Sequence, residues 1–241
     1  WFDEHWHQAE DVTPEILRVV ERHIREYTPF EVYARALQEF FRGHEMTVTE
    51  WEQTQSKMYP VLDRYQKEGY HSLLKIAAQH GGAFLCDGVG LGKTFVGLML
   101  IERLVLHEGK RVVLFAPKAT KEGVWEPHLR QWLPHIGGIG GGADFSNLAV
   151  FSHTDLGRKG DFPERFHRIA ELADVVVIDE AHHFRNLGRR GDADSGIEPS
   201  RYYQLFDLLD NAQRPKTVFM LTATPINNRL SDFRHMAELF T

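Results

Sequence analysis

Asp87-Gly88-Val89-Gly90-Leu91-Gly92-Lys93-Thr94 follows a short apolar run, Ala83-Phe84-Leu85-Cys86, and opens a helix-length apolar pattern over residues 94–107. A strand, a glycine-rich turn and a helix in that order make the setting of a phosphate-binding loop. Glycines at 88, 90 and 92 let the backbone turn and aim its N–H groups, Val89 and Leu91 included, at an anion on the helix N-terminus. Lys93 is then placed for β- and γ-phosphates, and the Thr94 hydroxyl for Mg²⁺. The usual pattern has glycine where Asp87 stands, so the stretch alone also admits a glycine turn without a ligand.

Downstream, Val175-Val176-Val177-Ile178 runs into Asp179-Glu180-Ala181-His182. An apolar strand ending in two carboxylates delivers Asp179 to the water shell of a magnesium ion and Glu180 to an attacking water. The plainer reading is that both cap the next helix. A third strand, Thr217-Val218-Phe219-Met220-Leu221, ends in Thr222-Ala223-Thr224-Pro225, which by itself reads as a turn with hydroxyl caps. Joint occurrence decides between these readings, because all three sets lie at the carboxyl ends of strands, where open α/β sheets bind ligands.

With Val112-Val113-Leu114-Phe115-Ala116 and Leu148-Ala149-Val150-Phe151, five such runs alternate with helical patterns, another of which covers residues 162–172. Runs apolar on both faces predict a parallel sheet covered by helices on both sides, an α/β fold. A further amphipathic stretch over residues 60–80 carries Leu62, Tyr65, Leu73, Leu74 and Ile76 on its apolar side, with a break expected near Gly69. Residues 137–142, nearly all glycine, and 186–199, with almost nothing to bury, are expected to be mobile loops.

Toward the N-terminus, Thr13-Pro14 and Thr28-Pro29 each pair a hydroxyl cap with proline at a first helical position. They predict an α-hairpin over about residues 13–42, so residues 1–45 are read as an N-terminal helical extension and 46–241 as the main domain.

The 241 residues are 42% hydrophobic and 26% charged, and no apolar run approaches the ~20 residues a bilayer span needs, which argues against a membrane protein. The single cysteine, Cys86, cannot form an internal disulfide, so a reducing, cytoplasmic setting is expected. Fourteen histidines are scattered, and the close pairs His5/His7 and His182/His183 lack partners at metal-ligand spacing. The net charge of −6 argues against a freestanding nucleic-acid coat while allowing a local basic strip.

Taken in order, Gly-Leu-Gly-Lys-Thr at 90–94, Asp-Glu-Ala-His at 179–182 and Thr-Ala-Thr-Pro at 222–225 resemble motifs I, II and III of superfamily 2 helicases. The SWI/SNF-like branch is similar at Asp87, since its members carry Asp-Glu-x-Gly-x-Gly-Lys-Thr there; this chain departs from them with Gly88 in place of glutamate. The resemblance covers roughly residues 60–240. It implies a RecA-like P-loop lobe that binds ATP and Mg²⁺ and works on double-stranded DNA, with His182, Thr222 and Thr224 coupling nucleotide state to movement. Leu62-x-x-Tyr65-Gln66-x-x-Gly69 resembles the Q motif, which implies that Gln66 reads the adenine edge. Ala116-Pro117-Lys118 with Trp125-x-x-His128 resembles motif Ia, which implies contact of Lys118 and Thr120 with a DNA backbone. Phe151-Ser152-His153 stands where a further DNA-facing motif belongs.

Motors of this superfamily clamp ATP between two lobes, the second supplying arginine fingers. No motif of that lobe stands before Thr241, so the isolated chain is expected to bind nucleotide and hydrolyse it very slowly. The opening Trp1-Phe2-Asp3-Glu4-His5-Trp6 resembles the segment after a phospholipase-D-like nuclease domain in bacterial helicase-like proteins. The alternatives left open are an RNA helicase, a restriction-type motor subunit, and a non-catalytic helicase-like interaction module.

Overall fold

The computed structural model describes residues 28, 30–34, 48–136, 147–157, 168, 171–191, 198–210, 215–226 and 230–240. The glycine run at 137–142, nearly all of the expected helix at 162–172, residues 192–197 of the second loop and most of the hairpin over 13–42 lie outside the described residues.

The chain divides into two compact units, Trp1–Glu45 and Met46–Thr241. In the first, residues 30–34 are helical behind a reciprocal cap at the expected place. The Glu31 amide donates to Thr28 Oγ1 at 3.2 Å, and Glu31 Oε2 accepts from the Thr28 amide at 2.9 Å.

The second unit is built on five parallel strands, β1 (Gly82–Leu85), β2 (Val112–Ala116), β3 (Leu148–Ser152), β4 (Val175–Asp179) and β5 (Thr217–Leu221), in the spatial order β1-β5-β4-β2-β3. The helices described are α1 (Glu50–Thr54), α2 (Arg64–His80), α3 (Lys93–Ile101), α4 (Lys118–Thr120), α5 (Glu126–Trp132), α6 (Arg201–Leu209) and α7 (Leu230–Ala237). Alternate strand residues face opposite sides. Leu114, Val177 and Leu221 join a core with Tyr70, Leu98 and Trp125, whereas Phe115, Ile178 and Met220 join one with Leu205, Phe184 and Met236. Helices on both faces are the reason the strands carry no polar alternation, and the result is the expected three-layer α/β fold.

Two local expectations are corrected. Helix α2 runs unbroken through Gly69, and the break falls earlier, where the turn Tyr59–Val61 ends and Asp63 caps the helix. One interior glycine costs a helix only ~1 kcal/mol, and a Cβ at Gly69 would stand 3.2 Å from Leu85 Cδ1, so the glycine serves close packing on β1. Nor do Tyr65 and Ile76 belong to the apolar stripe, since each is exposed. The helix read over 94–107 starts at Lys93 and changes at Glu102–His107 into a wider π-helical turn.

That turn anchors the strap before α2. Glu102 accepts from Ser56 Oγ at 2.6 Å and from the Lys57 amide at 2.7 Å. Arg103 pairs with the fully buried Glu52 at 2.7 Å, and Glu52 also accepts from Tyr70 Oη at 2.6 Å and the Thr49 amide at 2.7 Å. Burial pushes the Glu52 carboxyl up, but the Tyr70 and Thr49 hydrogen bonds outweigh it and leave the group below its ordinary value. A depressed carboxylate contributes stability above its ordinary pKa of 4.5 and loses it as pH falls through the folded value. Glu52→Ala, which removes the acceptor of Tyr70 Oη while Arg103 keeps Glu108 at 2.7 Å, is expected to lower the unfolding free energy by about 2 kcal/mol at neutral pH. Urea denaturation at pH 7 and pH 4 checks this, the difference between variant and wild type shrinking at the lower pH.

Candidate functional site

Leu85 at the end of β1 is in register with Leu221 of β5, and Leu221 with Asp179 of β4. With neighbouring strands ~4.8 Å apart, the ends of β1 and β4 lie about 10 Å from each other across β5. The Thr222 amide continues the pairing by donating to the Leu85 carbonyl at 3.0 Å. Three segments far apart in the chain therefore leave one edge of the sheet side by side, the glycine loop, the acid pair and the Thr-Ala-Thr turn.

In the loop, Gly90 and Gly92 have φ of 81° and 72°, a region that side chains avoid, and Gly92 is the N-cap of α3. Gly88 lies outside that region, and a Cβ there would meet only Leu91 Cδ1 at 3.4 Å. Its backbone leaves room for a side chain, so neither the turn nor the packing requires glycine at this position. Lys93 Nζ donates to the carbonyls of Asp87 at 2.9 Å and Gly88 at 3.0 Å, holding the loop closed on itself. Val89 is 87% exposed at its tip.

Gln66 is buried under this loop. Its Oε1 accepts from the Asp63 amide at 2.9 Å and its Nε2 donates to the Leu91 carbonyl at 3.2 Å, which Tyr65 Oη also reaches at 3.0 Å. A Cβ on Gly92 would lie 2.4 Å from Gln66 Nε2, so the glycine admits this side chain as well as the turn. Gln66 thus braces the glycine loop directly.

Asp179 is buried, with a different donor on each oxygen. Oδ1 accepts from the Glu180 amide at 3.0 Å and Oδ2 from the indole Nε1 of Trp125 at 2.8 Å. Burial lifts its carboxyl above the ordinary value and the Glu180 charge adds to this, while the Trp125 hydrogen bond and the Lys93 charge oppose it. A desolvated carboxylate whose hydrogen-bond partners are neutral fits a divalent cation. Thr94, half-buried in the first turn of α3, is the second candidate ligand.

Glu180 is the only described non-glycine residue with positive φ, at 49°. It precedes the short helix Ala181–Phe184 without a side-chain capping bond, so the capping reading does not hold for Glu180. Strain of order 1–2 kcal/mol at such a residue marks functional positions. Its Oε2 lies 3.1 Å from His182 Nδ1, which is also 3.4 Å from Thr222 Oγ1, and Thr222 Oγ1 accepts from the Thr224 amide at 3.3 Å. Glu180, His182 and Thr222 therefore form one contact set, with the exposed Thr224 beside it.

Lys118 is exposed in α4, and the Thr120 hydroxyl donates to the Pro117 carbonyl at 3.0 Å. The expectation for Phe151-Ser152-His153 is corrected for its polar members, because Ser152 and His153 are each only 3% exposed and cannot face a track. Burial and the His183 charge push the His153 imidazole down to about 4, so it is neutral at pH 7. Trp125 is the residue whose chemistry spacing alone missed. The one sequence signal was that a buried indole N–H needs an acceptor.

The family described as type III restriction enzyme, res subunit, matches residues 60–227. The uncharacterized ATP-dependent helicase YqhH of Bacillus subtilis is 26% identical over 167 residues, 68% of this chain and 27% of the relative. The RNA polymerase-associated protein RapA of Serratia proteamaculans is 29% identical over 182 residues, 70% of this chain and 18% of the relative. The chain thus spans about a quarter or less of the curated relatives it matches. The Sulfolobus solfataricus SWI2/SNF2 ATPase core, solved in complex with dsDNA, superposes with a TM-score of 0.57 at 20% identity, over 75% of this chain and 36% of that one, which establishes the RecA-like fold. Because the matched span runs from just before the Q-like segment to just past the Thr-Ala-Thr turn, this chain belongs to the type III restriction enzyme res subunit family, with a fold shared with the SWI2/SNF2 ATPase core.

Proposed function

We propose that this lobe binds ATP with Mg²⁺ and drives an ATP-dependent translocase on double-stranded DNA, in company with a second RecA-like lobe. The observation that carries this reading is the register Leu85, Leu221, Asp179, which brings Lys93, Asp179, Glu180 and Thr222 to one edge. Lys93 exchanges its loop carbonyls for β- and γ-phosphate oxygens, and the N–H groups at the start of α3 receive the same anion. Thr94 and Asp179 hold the magnesium ion, which when bound neutralises charge building on the phosphates. Glu180 orients the attacking water and takes its proton, and His182 and Thr222 transmit the change toward the track. Gln66 supports the loop from beneath and reads the adenine edge through rearrangement of its amide.

Lys118 and Thr120 lie after β2 at the same carboxyl end of the sheet, where they contact DNA phosphates. The dsDNA of the solved neighbour and the helicase name of the bacterial relative support a nucleic-acid track. The family description favours one alternative, a restriction-type motor subunit.

In the intact protein, duplex DNA is expected to stimulate ATP hydrolysis more than single strands or RNA. Lys118→Ala is expected to weaken duplex affinity about five- to tenfold and reduce its salt dependence, with ATP affinity unchanged. Filter binding across a salt series, beside steady-state ATPase assays with each nucleic acid, makes the comparison. Stimulation by RNA alone would replace the DNA reading, and unchanged duplex affinity would remove Lys118 from the track.

A further inference from the structure

Resting on the proposed ATP–Mg²⁺ site, we propose that Trp125 is a positioning residue for the metal-binding carboxylate, its indole N–H fixing Asp179 and tying the helical run that begins at Lys118 to the nucleotide site. Trp125 Nε1 donates to Asp179 Oδ2 at 2.8 Å, and the Glu180 amide donates to Oδ1 at 3.0 Å. One donor on each oxygen sets the plane of the carboxylate and leaves each oxygen a lone pair for a cation or its water. The indole is completely buried, so this bond is shielded from competing solvent.

Its placement is built by two other features. Gly97, in the helix that starts at the phosphate loop, makes the space, since a Cβ there would lie 2.5 Å from Trp125 Cη2 and 3.0 Å from Leu221 Cδ1. The indole thereby packs against α3 at Gly97 while its N–H reaches Asp179 at the end of β4. The segment Lys121–Trp125 is a π-helical turn, continuous with Lys118–Thr120 before it and Glu126–Trp132 after it. Such turns change the direction in which the next side chain points and recur at functional sites. Here the turn ends on Trp125. A shift of the exposed Lys118 end along this run carries the indole with it, and the carboxylate of Asp179 follows.

The test uses the intact protein with Trp125→Phe, and with benzothienylalanine at position 125, which keeps the shape of tryptophan and lacks the N–H. Affinity for a fluorescent, non-hydrolysable ATP analogue is measured in EDTA and across a Mg²⁺ titration. Affinity in EDTA is expected to stay within about twofold of wild type. The Mg²⁺ concentration that gives half the metal-dependent gain is expected to rise on the order of tenfold, as loss of a hydrogen bond to a charged group implies. In turnover assays kcat falls while KM for ATP holds. The isostere decides the matter if Trp125→Phe lowers the melting temperature. An unchanged Mg²⁺ midpoint with the isostere, while Asp179→Asn abolishes the gain, overturns the role of Trp125 alone. If Asp179→Asn leaves the gain intact, the metal reading of the site falls, and this proposal with it.

Discussion

Lys93→Ala is expected to abolish measurable ATP binding, lowering affinity on the order of 10²–10⁴-fold, because two charge-assisted contacts to phosphate oxygens vanish at ~1.5–3 kcal/mol each. The fold should survive the change. Lys93 is half-buried at the rim of the sheet, and its partners without nucleotide are the carbonyls of Asp87 and Gly88, which water can satisfy. The positive-φ glycines at 90 and 92 keep the loop shape without the lysine. Calorimetric titration of wild type and variant with ATP, beside a thermal melt of each, checks both halves. Affinity within a few-fold of wild type would mean that the loop binds no triphosphate.

For Glu180→Gln the expectation is the opposite split, with nucleotide affinity preserved and kcat reduced on the order of 10²–10⁴-fold, the usual contribution of a general base. Glutamine keeps the length of the side chain and can still meet His182, now 3.1 Å from Glu180 Oε2, so the shape of the site is retained while the proton acceptor is lost. Both residues bear the same strain at φ 49°, which keeps backbone effects out of the comparison. Single-turnover hydrolysis and equilibrium binding on the intact protein separate the terms. A variant that cycles at the wild-type rate would assign Glu180 a structural role.

How far the sequence was legible varied with the range of the interaction. The five strands stand within a residue or two of the apolar runs that announced them, because a strand buried on both faces has no alternative to a continuous apolar run. The cap at Thr28 and the helix start behind Gly92 were equally local matters. The break expected at Gly69 failed since the helix is held by packing on Leu85, which no window around residue 69 contains. His153 looked available for a track, and its burial came from neighbours including His183 and Phe184.

Residue types and their order determined by themselves that this chain forms a parallel sheet with a glycine loop, an acid pair and a Thr-Ala-Thr turn at strand ends. Strand periodicity and glycine conformational freedom are properties of the local chain. Only the tertiary structure decided that β5 lies between β1 and β4, so that Leu85, Leu221 and Asp179 share one level. It alone decided that Gln66 lies under Leu91 and that Trp125 reaches Asp179. Those contacts join residues 25 and 54 positions apart, and side chains at such separations meet only when the sheet and its covering helices have packed.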